Sequence, residues 1–426
     1  MSSPESLCMA TTLDNALSTQ ERLLRARDAA SRTAQLSTAE KNSLLENMAQ
    51  AIESEQRSIL SANQADLDES GIEGALRDRL LLTPKRIAEM AQMLRDVAKL
   101  ADPVGETLKE WSRPNGLRIR KVRVPMGVIG IIYESRPNVT VDTVALAIKT
   151  GNAIVLRGGK EAAHSNRRLV EILSNAPGVP QGAIELLDSS TRASVQELIQ
   201  ARGFVDVLIP RGGQQLIDFV IENATVPVIE TGAGNCHIFV DDSADLDMAD
   251  AIVINAKTQR PSVCNAAEKL LVHQRIAAGY VPRIVKKLQE SGVEVRGDEQ
   301  ARKLAGSEKV RPAEATDWTE EYLRLCIAIK VVPDLDGAIA HINRYSTKHS
   351  EAIVTSNEAR ARQFMRLVDS AAVLWNASTR FVDGGEFGFG AEIGISNQKL
   401  HCRGPFALEE LTSTKYEITG TGQVRS

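Results

Sequence analysis

The stretch Val128-Ile-Gly-Ile-Ile-Tyr-Glu-Ser-Arg-Pro-Asn-Val-Thr-Val-Asp-Thr-Val-Ala-Leu-Ala-Ile-Lys-Thr-Gly151-Asn-Ala-Ile-Val-Leu-Arg-Gly-Gly-Lys160 holds a strand, a helix and a second strand in close succession. Val128 to Ile132 is a short apolar run without polar alternation, the pattern of a strand buried on both faces. Val139 to Lys149 is helical in pattern and stops at Gly151, a residue that adopts the positive φ of a helix end without penalty. Ala153-Ile-Val-Leu156 is apolar again. A strand, a helix and a strand this close together make a βαβ unit, and such a unit requires parallel pairing.

The same texture continues outward. A helix follows Ala162, then come Ala183-Ile-Glu-Leu-Leu and Val205-Asp-Val-Leu-Ile. A second series runs from His237-Ile-Phe-Val through Val293-Glu-Val, Ala328-Ile-Lys-Val-Val, Glu351-Ala-Ile-Val and Ala372-Val-Leu-Trp. Two doubly wound α/β domains meeting near Glu230 are the simplest account: 1–229, then 230–389, with 390–426 as a returning C-terminal segment. Before the first strand, Ser37-Thr-Ala-Glu40 is a capping box and Thr83-Pro84 a helix start, so the first hundred residues read as helices packed on a later sheet. Around Arg113-Pro-Asn-Gly116, apolar and charged residues alternate on both sides of a turn. This predicts an exposed β-hairpin over about 108–125, an arm suited to pairing with another subunit.

With 426 residues, 43% hydrophobic and 25% charged, the chain has the composition of a globular protein with substantial cores. Its formal charge of −4 has no basic excess, which argues against a nucleic-acid partner. The five cysteines (Cys8, Cys236, Cys264, Cys326, Cys402) include no Cys-x-x-Cys pair, and no histidine is spaced with an acid as a metal pair would be, so no metal is expected. The opening Met-Ser-Ser-Pro-Glu-Ser shows no leader, and no apolar run approaches the roughly 20 residues of a membrane span. A reducing cytoplasm, with no membrane partner, fits these features.

Chemistry concentrates at a few points. Leu156-Arg-Gly-Gly-Lys160 and Pro210-Arg-Gly-Gly213 follow apolar strands and each pairs glycines with a cation; each suits either a phosphate or an ordinary tight turn. Cys264, in Arg260-Pro-Ser-Val-Cys-Asn265, is either a small core residue or a nucleophile. The proline and serine before it favour a loop or a helix start, and a helix beginning near Asn265 would lower the thiol pKa through its positive end. Glu230, 34 residues earlier, either caps the Thr231-Gly-Ala-Gly234 turn or moves a proton beside the thiol. A cysteine thioester accepts hydride at its acyl carbon, so the pair suggests covalent carbonyl chemistry.

Glu230-Thr-Gly-Ala-Gly-Asn-Cys-His237, Cys264-Asn-Ala-Ala-Glu268, Tyr133-Glu-Ser-Arg-Pro-Asn138 and Leu400-His-Cys-Arg-Gly-Pro405 together resemble the glutamate-5-semialdehyde dehydrogenase (γ-glutamyl phosphate reductase) family of the aldehyde dehydrogenase superfamily. The resemblance runs over nearly the whole chain. It implies an aldehyde-dehydrogenase-like α/β fold, with 1–229 as the dinucleotide-binding domain, 230–389 as the catalytic domain, and the hairpin plus C-terminal tail as an oligomerisation arm.

The implied activity is NADPH-dependent reduction of γ-glutamyl phosphate to glutamate 5-semialdehyde and phosphate through a thioester on Cys264, the second step of proline synthesis from glutamate. Arg157, Gly158, Gly159 and Lys160 then stand at the cofactor ribose, where a 2′-phosphate of NADP is welcome. Arg211, Gly212 and Gly213 stand beside the pyrophosphate, and Glu321 on the nicotinamide ribose. The Cys264 backbone N–H is the first oxyanion donor, with Asn138 or Ser135 as the second, and Arg136 pairs with the substrate α-carboxylate. A homo-oligomer follows from the resemblance, and the lability of the acyl phosphate makes a transient complex with glutamate 5-kinase chemically reasonable. Two other functions stay open on the residues: oxidation of a different semialdehyde with NAD(P), in which Glu230 activates water, and a non-catalytic nucleotide-binding scaffold.

Overall fold

The computed structural model describes residues 17–425; Cys8 and the opening Met-Ser-Ser-Pro-Glu-Ser lie outside the described residues. Two compact units are formed, one from 1–229, 389–393 and 407–426, the other from 230–388 and 394–406. The chain crosses between them several times after residue 388, so the C-terminal segment is shared between the units.

In the first unit the strands Ile184–Leu186, Ala153–Arg157, Val128–Tyr133 and Val207–Arg211 form a parallel sheet in that order. Every residue of Val128–Tyr133 is buried, as expected of a strand covered by helices on both faces. Gly130 leaves room for its neighbour: a Cβ there would stand 2.6 Å from the Leu208 side chain on the adjacent strand, which would have to shift. The helix Pro137–Lys149 begins on its proline and is followed by Gly151 at φ +72°, a helix-end conformation that glycine adopts without penalty.

The leading helices are layered differently from the sequence expectation. Thr19–Thr33 does pack on the sheet, with Arg22 and Arg25 pairing with the buried Glu185. Thr38–Ser54 and Pro84–Lys99 pack on each other and on the helix Pro137–Lys149. The fully buried Lys149 explains this: its Nζ donates to Asn42 Oδ1 (2.6 Å) and to the Ala98 carbonyl (2.9 Å), so the outer helices supply the acceptors that a buried ammonium needs. The hairpin is present as Thr107–Ser112 and Arg118–Pro125, and Thr412–Thr419 adds a third antiparallel strand along Arg118–Pro125.

The second unit carries a seven-stranded sheet, in the order Arg311–Pro312, Glu294–Gly297, Cys326–Val332, Ala267–His273, Cys236–Val240, Ser350–Val354, Ala372–Trp375, all parallel. One strand decides between the two readings of the Cys264 context. No helix starts at Asn265; the cysteine stands on a loop, and Ala267–His273 is a fully buried central strand. Its charged pair, Glu268-Lys269, hides it from a pattern search. Lys257 neutralises Glu268 at 3.0 Å, and Lys269 Nζ donates to the Glu320 carbonyl at 2.7 Å. No helix among the described residues is long and apolar enough to cross a membrane.

Candidate active site

Cys264 occupies the short turn between the helix Leu246–Thr258 and the strand Ala267–His273. It is partly exposed, whereas Cys236, Cys326 and Cys402 are buried. Burial pushes the Cys236 thiol well above the usual range and the Cys326 thiol up to about 11, so neither is available as a thiolate at neutral pH. A strand, not a helix, follows Cys264, so no helix N-terminus begins at Asn265 to act on its sulfur.

The loop from Glu230 to Asn235 is pressed against this turn. A Cβ on Gly234 would fall 1.4 Å from the Cys264 carbonyl oxygen, so only glycine fits. That same oxygen accepts from Cys236 Sγ at 3.2 Å. The Gly234 N–H donates to Glu321 Oε1 at 2.7 Å, and burial holds the Glu321 carboxyl above its ordinary range. The Glu230 N–H donates to Gln398 Oε1 at 3.0 Å. Gly234 thus brings the Cys264 turn and Glu321 together at the amino ends of the strands Cys236–Val240, Ala267–His273 and Cys326–Val332, with Glu230 four residues before it in the same loop.

Residues from distant segments hold this cluster. Asn397 Nδ2 donates to the carbonyls of Ala233 (3.2 Å) and Thr347 (2.8 Å), and a Cβ on Gly232 would meet the Asn397 amide at 1.6 Å. Asn265 Nδ2 donates to the Val382 carbonyl at 2.8 Å, while Thr379 Oγ1 donates to the Asn265 carbonyl at 2.7 Å. None of these pairings has a sequence signature, because single amides and hydroxyls bonded to partners 50 to 164 residues away leave no period or spacing.

The remaining site residues of the sequence reading gather in the first unit, at the carboxyl ends of its strands, where Ile132 pairs with Arg157 and Tyr133 with Arg211. The strand order reverses between Val128–Tyr133 and Val207–Arg211, a switch point of the kind at which open α/β sheets bind ligands. Arg157 spends its N–H groups on the carbonyls of Gly158, Ser189 and Thr191 and on Ser194 Oγ, so it staples the loop after Ile184–Leu186. Lys160 is exposed. Side chains at Gly158 and Gly159 would collide with Asn166 and Glu161 respectively.

At the other glycine turn, the Gly213 N–H donates to Glu134 Oε2 at 2.8 Å, and a Cβ on Gly212 would approach the same carboxylate at 2.5 Å. A carboxylate therefore already sits where the helix Gln214–Asn223 presents its N-terminus. The buried Ser135 donates through both N–H and Oγ to Glu161 Oε1, each at 2.7 Å. Arg136 precedes the helix Pro137–Lys149, and the exposed Asn138 in its first turn donates to Asp142 Oδ2 at 3.0 Å. Burial raises the Asp142 carboxyl to about 6.

Folding also creates an acid–histidine cluster that no sequence spacing announces: Asp241, Asp242 and His273. Arg360 pairs with both aspartates and Arg275 with Asp242 at 2.9 Å, so guanidinium groups neutralise these carboxylates.

Comparison with known proteins agrees with this geometry. Residues 6–304 match the aldehyde dehydrogenase family model. A γ-glutamyl phosphate reductase of Koribacter versatilis is 68% identical over 96% of this chain and 100% of its own length. One of Moorella thermoacetica is 57% identical over 96% of this chain and 99% of its own. The crystal structure of γ-glutamyl phosphate reductase from Thermotoga maritima superposes with a TM-score of 0.93 at 50% identity, covering 96% of this chain and all of that one. A chain with this α/β architecture, this cysteine turn and this degree of identity over full length belongs to the aldehyde dehydrogenase family, and within it to the γ-glutamyl phosphate reductases, also called glutamate-5-semialdehyde dehydrogenases, which are oxidoreductases.

Proposed function

We propose that this chain reduces γ-glutamyl phosphate to glutamate 5-semialdehyde and phosphate with NADPH, through a thioester on Cys264, as the second step of proline synthesis. The observation that carries the reading is the placement of Cys264: a partly exposed thiol on a turn braced by the Glu230–Asn235 loop, in a chain of this family. The Cys264 sulfur attacks the acyl carbon, the bond to phosphate oxygen breaks, and phosphate leaves with the electron pair. NADPH, when bound, supplies the hydride. The sulfur then leaves the acyl carbon as the aldehyde carbonyl forms. The Cys264 backbone N–H is the donor to the oxyanion at both tetrahedral stages. Glu321 holds the nicotinamide ribose, and Arg136 receives the α-carboxylate.

The cation and glycine set of the first unit fits an NADP phosphate. Because Arg157 is bonded to its own loop, Lys160 is the residue that meets the 2′-phosphate. Lys160→Met is expected to raise the half-saturating NADPH concentration about tenfold, equal to about 1.4 kcal/mol, and to leave that of NADH within about twofold. Steady-state titration with each nucleotide checks this. The exposed Tyr416 and Ile418, on the strand that extends the hairpin, support a homo-oligomer built through that sheet.

The deciding experiment mixes the purified chain with glutamate 5-semialdehyde and NADP, with and without inorganic phosphate, and follows reduced nicotinamide. Reduction of NADP only when phosphate is present supports the proposal. Equal rates without phosphate would overturn it in favour of hydrolytic oxidation with Glu230 activating water.

A further inference from the structure

Three backbone and side-chain bonds clamp the segment Thr379–Val382 around Asn265, the residue next to the nucleophile: Thr379 Oγ1 to the Asn265 carbonyl, Asn265 Nδ2 to the Val382 carbonyl, and Arg380 Nη1 to Asn265 Oδ1. Arg380 Nε donates to Gln259 Oε1 at 2.7 Å. The guanidinium is therefore aimed by two amide side chains that flank the Cys264 turn on either side in sequence. Its Nη2 meets no acceptor among the described residues, which leaves two N–H groups of a rigid fork uncommitted.

Its bond to Asn265 sets this cation beside the Cys264 turn, and its charged surroundings agree with that position. Burial holds Arg380 below the ordinary arginine range; Asp383 opposes that most, Arg260 adds to it, and the sulfurs of Cys264 and Cys236 oppose it when ionised. A partly buried guanidinium within the field of the reactive sulfur, with a second arginine close by, is an anion site in a place where the proposed reaction releases an anion. The phosphoryl group is bonded to the attacked acyl carbon through a single oxygen, whereas the α-carboxylate lies at the far end of the glutamyl chain. A cation bonded to the residue next to Cys264 is placed for the former.

We infer that Arg380, oriented by Asn265 and Gln259, binds the phosphoryl group that Cys264 displaces, and receives inorganic phosphate in the reverse reaction. This rests on the proposed function. In the forward direction the thiolate forms the C–S bond while the C–O bond to phosphate breaks, and Arg380 holds the departing dianion. In reverse, a phosphate oxygen attacks the thioester carbon and sulfur leaves as thiolate. The assignment also explains why a helix N-terminus is dispensable at Cys264: a side-chain cation supplies the positive field.

The test is oxidation of glutamate 5-semialdehyde by NADP at varied inorganic phosphate, comparing the unaltered chain with Arg380→Met and Arg380→Lys. Arg380→Met is expected to raise the half-saturating phosphate concentration tenfold or more, by roughly the loss of a charge-assisted fork. Arg380→Lys recovers part of it, and the half-saturating semialdehyde concentration moves less than twofold in both. An unchanged phosphate requirement overturns the assignment, and so does a rise confined to the semialdehyde, which would place the α-carboxylate there. Should neither variant fold, the unaltered chain still decides: inorganic phosphate, but not chloride at equal ionic strength, is expected to slow alkylation of Cys264 by iodoacetamide, and absence of that protection overturns the proposal. Failure of the proposed function shows itself separately, as phosphate-independent oxidation by the unaltered chain.

Discussion

Cys264→Ala is expected to lower γ-glutamyl phosphate reduction by at least about four orders of magnitude, the scale on which removal of a covalent nucleophile acts. Alanine cannot form the acyl-enzyme, and no neighbouring sulfur can stand in. Cys236 lies against the same turn, but its thiol is fully buried and its pKa is pushed well above the ordinary range. The loss of one sulfur from a partly exposed turn costs little stability, about 1 kcal/mol or less, because no closed cavity is left. The variant is therefore expected to retain NADPH binding, measured by nucleotide fluorescence, while turnover disappears. A Cys264→Ala protein that reduces substrate at a normal rate would end the thioester mechanism.

What could be read from the residues, and what could not, follows from the physics of burial. Parallel strands sandwiched by helices appear as apolar runs, which is why Val128–Tyr133, Ala153–Arg157 and Cys326–Val332, the last interrupted only by Lys330, were legible. The strand Ala267–His273 was not, because two of its seven residues are charged and its partners, Lys257 and the Glu320 carbonyl, come from other elements. Burial alone would drive the Glu268 carboxyl up and the Lys257 ammonium down; their contact at 3.0 Å partly offsets both. Of the two readings of the Cys264 context, loop or helix start, the loop holds, because the chain enters a central strand at Ala267; the helix dipole that a start at Asn265 would bring is absent.

The site divides the same way. Cys264, Glu230 and Glu321 were legible as residue types that carry chemistry in recognisable motifs. Asn397, Gln398, Asn265 and Arg380 were not, since each acts through hydrogen bonds to segments that only the fold brings near. The two glycine turns were legible as turns, but the carboxylates bonded beside them, Glu134 to Gly213 and Glu161 to Ser135, were not, since neither pairing follows from a sequence spacing.

Gly234→Ala is the second large effect expected, and it separates packing from chemistry. The residue has no need of positive φ; what it lacks is room, since its added methyl would fall 1.4 Å from the Cys264 carbonyl oxygen and 2.3 Å from the carbonyl carbon. Both atoms are backbone, so relief requires the turn to move, by an ångström or more, away from the loop. Overpacking of this kind costs about 1–3 kcal/mol. A displacement of about 1 Å at the nucleophile costs about a hundredfold in rate. Gly234→Ala is accordingly expected to melt several degrees lower and to turn over about two orders of magnitude more slowly. The Gly234 N–H bond to Glu321 shifts with it, so NADPH half-saturation is expected to rise as well. Gly279 supplies the contrast: it lies in the helix Gln274–Glu290 with nothing within 4 Å of its added Cβ. Gly279→Ala is expected to raise stability by about 0.5–1 kcal/mol and leave turnover unchanged. If Gly234→Ala behaves like Gly279→Ala in calorimetry and kinetics, the contact between the Glu230–Asn235 loop and the cysteine turn does not set the position of the sulfur, and the bracing of the nucleophile must come from the Thr379–Val382 side alone.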